Sequence, residues 1–220
     1  MSADYFAVFA REVGQLIGAE GDEPLFVGIM SNGTSGDANC YDFTRAKGRK
    51  YDYNTVARDV AQVAFEAYKT IEYHNWVPLE MRERRLVLDV RMPTEKEVAK
   101  AHVFMKTFAG RKPQNWQEVY AHEIVELSKM APTRELKLQA IRIGDLGIAA
   151  IPCEVYGSTG LAIKAASPLD ITMNISLANG CEGYIAPPEQ HKLGGYTTWR
   201  ARTSCLEVMA EPKIKAAAVG

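Results

Sequence analysis

The stretch Gly147-Ile-Ala-Ala-Ile-Pro-Cys-Glu154 constrains this chain of 220 residues more than any other. An apolar run so short and without alternation fits a strand covered on both faces, the condition of a central strand in an α/β sheet. Pro152 has no N–H to donate and a fixed φ, so the ladder stops there. Beyond it Leu161, Ala162, Ala165 and Ala166 recur at helical spacing, which predicts a helix from Val155 to Ala166. Glu154 therefore falls at a strand-to-helix junction, just past the carboxyl end of the strand, where the crevices of α/β sheets open. Two readings of it stand side by side: a ligand-bearing carboxylate, or an acid complementing the dipole of the following helix.

Around this centre, helical and strand patterns alternate. Phe6, Phe9, Val13, Leu16 and Ile17 define an amphipathic helix over Asp4–Ile17, closed by Gly18. Leu25–Met30 is a second short apolar run and reads as another buried strand. Val56, Val60, Val63, Ala67 and Ile71 form one helical stripe within 53–71, after a basic and exposed stretch from Arg45 to Lys50. Leu79–Met92 alternates between apolar and charged residues, which predicts a strand with one wet face toward a sheet edge. Thr94 and Glu97 have the spacing of a capping box, and the helix they open is followed by a second one from Trp116 to about Met130, an αα excursion between strands. Glu135–Ile143 and the Gly147 strand flank Gly144-Asp145 as a hairpin. Asp170–Leu177 reads as a strand with Ile171, Met173, Ile175 and Leu177 on one face; a long irregular loop, Ala178–Trp199, and a last helix from about Thr203 into Pro212 complete the chain. The pattern predicts a single α/β domain spanning 1–220, a layered, mixed sheet with helices packed on its faces.

Composition narrows the function. With 26 Lys+Arg against 27 Asp+Glu there is no basic field to attract phosphate backbones, so nucleic acid is not expected as a partner. No apolar segment reaches the length of a membrane span, and the amino terminus lacks the pattern of a signal peptide. If Met1 is the true start, the chain is expected in the cytoplasm; as part of a longer precursor it would be secreted or periplasmic. Cys40, Cys153, Cys181 and Cys205 form no Cys-x-x-Cys pair and are read as thiols.

Three segments supply chemistry if the sheet is as described: the loop Ser31–Cys40 with Gly36, Asp37, Ala38 and Asn39, then Glu154, then the loop bearing Tyr184 and Tyr196. A carboxylate and a tyrosine are hard oxygen donors, suited to a Lewis-acidic ion. Nitrogen donors are absent from the pattern: His74, His102 and His122 form no His-x-x-x-His or Glu-x-x-His pair, and His191 is flanked by polar Gln190 and Lys192. The alternative readings are a wide turn for the first loop and a solvated basic rim for Lys192, Arg200 and Arg202.

Ile141-Arg-Ile-Gly-Asp-Leu-Gly-Ile-Ala-Ala-Ile-Pro-Cys-Glu154, then Asn179-Gly-Cys-Glu-Gly-Tyr184, Pro188-Glu189 and Gly195-Tyr196, resemble the later half of the catalytic domain of the neutral/alkaline non-lysosomal ceramidases. Ser31-Asn32, Gly36-Asp37 and Asn39 are similar to that family's active-site loop. The resemblance is to diverged, ceramidase-like members, covers most of the chain and is strongest after Leu136. It implies a zinc amidohydrolase that cleaves N-acylsphingosine to sphingosine and a fatty acid. Glu154 and Tyr184 match zinc ligands, and Tyr196 matches a tyrosine that hydrogen-bonds the scissile carbonyl; Asp37 and Asn39 belong to the catalytic loop. Cys153 stands where the family motif has glycine, and Asn39 where it has serine, so a serine nucleophile is not available there.

Two family zinc histidines lie in motifs upstream of the resembled region, and nothing before Ser31 matches them. The resemblance thus implies an incomplete catalytic domain. Either a missing upstream half or a second chain supplies the histidines to a Zn2+-dependent hydrolase of a small-molecule amide or lipid, or the chain is a non-catalytic binding or interaction module that keeps the fold without the metal.

Overall fold

The computed structural model describes residues 2–21, 23–39, 41, 44 and 52–220. The chain forms two compact units, the first from Met1–Ser31 and Asn39–Val77, the second from Asn32–Ala38 and Pro78–Gly220. The basic stretch Arg45–Lys50 and Cys40 lie outside the described residues.

In the first unit α1 (Asp4–Ile17) ends at Gly18, whose φ of 73° is the left-handed conformation a helix stop requires. Helix α2 (Tyr53–Tyr68) starts at Asp52, whose carboxylate accepts from the amides of Asn54 and Thr55. The two pack through Val8, Phe9, Ala57 and Ala61, and the alanines let the backbones approach closely. The strand expected at Leu25–Met30 is not there: the segment has no ladder partner, and Leu25, Val27 and Ile29 are exposed. It is held instead as a strap on α1, where a Cβ on Gly28 would lie 2.6 Å from the Ala10 Cα. An apolar run does not by itself make a strand, because a strand exists only where a neighbour offers hydrogen bonds.

The second unit opens with β1 (Leu79–Asp89), followed by the helical pair α3 (Glu95–Met105) and α4 (Trp116–Leu127). Thr94 and Glu97 form the expected capping box, and Ala101, Ala121 and Val125 form the cluster where the two helices meet. Strands β2 (Thr133–Ile143) and β3 (Leu146–Ile151) make the hairpin, turned at Gly144 with φ 60°. There follow β4 (Glu154–Val155), α5 (Gly157–Ala166), β5 (Ile171–Ser176), β6 (Tyr184–Ile185), α6 (Pro188–Leu193) and α7 (Ala210–Val219).

The main sheet has the order β1-β2-β3-β5, antiparallel except for the parallel β3–β5 pair, and β4 pairs with β6 in a separate parallel ribbon. β1 is the edge strand its alternation predicts, and β3 is interior. Ile151, Leu136 and Leu88 on the sheet, Ile163 on α5 and Ile214 on α7 form the centre of one core and are almost wholly buried. Each such side chain contributes about 1.5–3 kcal/mol relative to exposure.

Three expectations are corrected. On β5 the face with Ile171 and Met173 points outward, whereas Asn174 and Ser176 are buried. The Asn174 amide donates to the Gly160 carbonyl of α5 at 2.9 Å, a polar contact on the inward face that an apolar count misses. The last helix begins at Ala210, with Pro212 in its first turn, where a proline starts a helix instead of ending it. The region 178–199 is not irregular throughout, since it contains β6 and α6.

Candidate functional site

Glu154 and Tyr184 are cross-strand partners. They face one another in the two-residue parallel pairing of β4 with β6, which places both side chains on one face of the ribbon. Pro152 ends β3, and the chain then exchanges bonds with the Gly180–Tyr184 turn: Glu182 N–H donates to Pro152 O at 2.8 Å and Glu154 N–H to Gly183 O at 2.9 Å. Gly183 has φ 82°, and a Cβ there would lie 2.3 Å from Thr203 O. That crowding carries the next amide, Tyr184 N–H, to Thr203 O at 2.9 Å. Only glycine fits this corner.

The first loop arrives from the other side. Gly36 N–H donates to Val155 O at 2.7 Å, and a Cβ on Gly36 would sit 2.6 Å from Glu154 O, so the loop lies directly on the backbone of the site. Asp37 Oδ1 accepts from the Gly157 amide at 2.7 Å, capping α5 from a distant segment. The macrodipole-complementing position considered for Glu154 is thus taken by Asp37. Asn39 is exposed and falls in the first compact unit.

Tyr196 completes the group. Its ring meets that of Tyr184 edge-on, with centroids 5.5 Å apart and planes at 86°. Glu154 stands opposite Tyr184 in the ribbon, and the Tyr196 ring lies against that of Tyr184. Burial pushes the Tyr184 phenol above the usual tyrosine range, and the neighbouring Glu154 carboxylate pushes it further. Tyr196 is 58% exposed, so the residue remains open to an incoming molecule.

Sequence spacing missed the residues that hold Tyr196. Tyr156 and Thr197 share a buried hydrogen bond of 2.6 Å between their hydroxyls. Arg91 reaches from the end of β1 to Thr198 O at 2.9 Å and to the carbonyl and hydroxyl of Ser204, and Ser204 Oγ donates to Thr197 O at 2.7 Å. Arg91 is a charged residue in an alternating segment, and nothing in that spacing distinguishes it from a solvated one. Of the basic rim, Lys192 is exposed, whereas Arg200 pairs with Glu97 at 2.5 Å and Arg202 with Glu123 at 2.6 Å, so these two tie the segment after the loop to α3 and α4. Cys153, Cys181 and Cys205 are free thiols; burial raises the Cys153 and Cys205 thiols above their usual range and keeps them unreactive. His191 is partly buried, its imidazole pushed down by desolvation and by Arg91.

The crystal structure of neutral ceramidase from Pseudomonas aeruginosa superposes on the whole chain with a TM-score of 0.62 at 17% identity. The chain has a ceramidase-like fold. A ceramidase complexed with C2 gives a TM-score of 0.61 at 14% identity, again over the whole chain. The chain spans 40% and 41% of the length of these two structures. No family model and no curated protein sequence matches it. No helix among the described residues is long and apolar enough to cross a membrane.

The β4–β6 register brings two oxygen donors, the Glu154 carboxylate and the Tyr184 phenol, to one place. Among the described residues no group of three or more His, Cys, Asp or Glu side chains could hold an ion. The donors present therefore suit part of a zinc shell and do not complete one.

Proposed function

We propose that this chain carries the carboxylate–phenol half of the active site of a ceramidase-like amide hydrolase. The observation that carries the reading is the register pair Glu154–Tyr184 at the carboxyl end of the central strand, with Tyr196 beside it. Glu154 and Tyr184 would hold Zn2+, with nitrogen ligands from a second chain or an upstream half; when bound, the ion would supply a Lewis acid and lower the pKa of a water. The remaining roles follow from the side chains. Tyr196, held through Thr197 and open to solvent, donates a hydrogen bond to an amide carbonyl and stabilises negative charge developing there. Asp37 fixes the N-terminus of α5 and keeps the loop 32–38 against the site. The substrate proposed is an N-acylated amine of the ceramide type.

The lack of a three-residue ligand group among the described residues favours a second reading, a binding module that keeps the fold without catalysis. The two separate in one assay. Purified chain is incubated with N-acylsphingosine, zinc and free imidazole, the last to supply nitrogen ligands, and sphingosine release is measured. Hydrolysis stimulated by imidazole and lost in Glu154→Gln is expected for the hydrolase. Release equal in wild type and Glu154→Gln, or absent from both, leaves the binding module.

A further inference from the structure

The main sheet has one face on the core and one face open. Cross-strand register places Leu79, Met81, Ile141, Ile143, Leu146, Ile148, Ile171 and Met173 together on the open side: Leu79 pairs with Ile143, Met81 with Ile141, Ile148 with both Ile141 and Met173, and Leu146 with Ile143 and Ile171. Side chains of cross-strand partners share a face, so the eight form one continuous apolar patch across four strands. The patch is in water: Leu79 is 73% exposed, Ile171 63%, Met81 56%, Ile143 41% and Met173 38%. Farther along the same face it gives way to charged residues that satisfy one another, Arg85 with Glu83 at 2.8 Å and with Glu135 at 2.9 Å.

We infer that this face is a self-association surface, on which a second copy of the chain stacks sheet against sheet. The five most exposed side chains alone offer roughly 500 Å² per copy, so a symmetric pair would bury about 1,000 Å² through them, the lower bound for a specific interface. A patch of this size is at the upper end of what monomers leave in water. Charge is compatible with a second copy, because the ion pairs at the rim are closed internally and present no net repulsion to their own image. Two such faces pack about 10 Å apart with interdigitating aliphatic side chains, as the layers of a β-sandwich do.

Sedimentation velocity on the purified chain over about a hundredfold range of concentration tests the inference. A monomer–dimer equilibrium is expected, converted to monomer by Leu79→Lys and by Ile171→Lys, each with unchanged circular dichroism and melting temperature because both positions face water. Val103→Lys, exposed on α3 and outside the patch, is expected to leave the dimer intact. Wild-type protein that stays monomeric, dimers that survive both lysine substitutions, or an open series of larger species would overturn the inference.

Discussion

Burial, and after it the Glu154 carboxylate that would share a metal with it, raise the Tyr184 phenol above the ordinary tyrosine range. Replacing Glu154 by glutamine removes the negative charge while keeping the size, so the Tyr184 phenol should fall back toward the ordinary tyrosine range. Spectrophotometric titration, with Tyr184→Phe to identify the residue, should show the highest-titrating tyrosine moving down in Glu154→Gln; identical curves would separate the two side chains. Gly183→Ala should destabilise the fold by more than ~1 kcal/mol, because its φ of 82° is strained for alanine and its Cβ would meet Thr203 O. A denaturant midpoint unchanged from wild type would show that this corner is looser than described.

Helices α3 and α4 are held by carboxylates whose charged form the fold favours. Backbone donation from Thr94, then Arg200 and the Thr94 hydroxyl, hold Glu97 at about 2; Arg111 and the Gln114 amide hold Glu118 at about 2. A depressed carboxylate stabilises the fold above its unfolded pKa of about 4.3, and that contribution is lost as pH falls toward the folded value. Stability measured by urea unfolding should therefore fall between about pH 4.3 and pH 2, and Glu118→Gln should flatten that slope. Thr94→Ala should cost about 1 kcal/mol through the lost cap. These helices were readable in the sequence because their signals are local: a cap, a stripe, a stop. The Gly144-Asp145 hairpin was readable for the same reason. The strap at 25–30 and the orientation of β5 were not, since one depends on whether a partner strand exists and the other on the Gly160 carbonyl that Asn174 finds.

Across the whole molecule, the sequence located Glu154 from the way β3 ends, and brought in Tyr184 and Tyr196 through resemblance. It could not show that β4 and β6 pair, because two-residue strands leave no periodicity, nor that Arg91, Tyr156 and Thr197 brace the tyrosine loop. Zinc binding through Glu154 and Tyr184 is tested most directly by titrating the chain with Zn2+ at neutral pH, with free imidazole present to supply nitrogen ligands, while following tyrosinate absorbance. A metal that takes both ligands must displace the Tyr184 proton, so one equivalent of tyrosinate should appear and should be abolished by Tyr184→Phe and strongly weakened by Glu154→Ala. Saturating zinc without a tyrosinate signal, or the same signal in Tyr184→Phe, would contradict the assignment of these two residues as metal ligands.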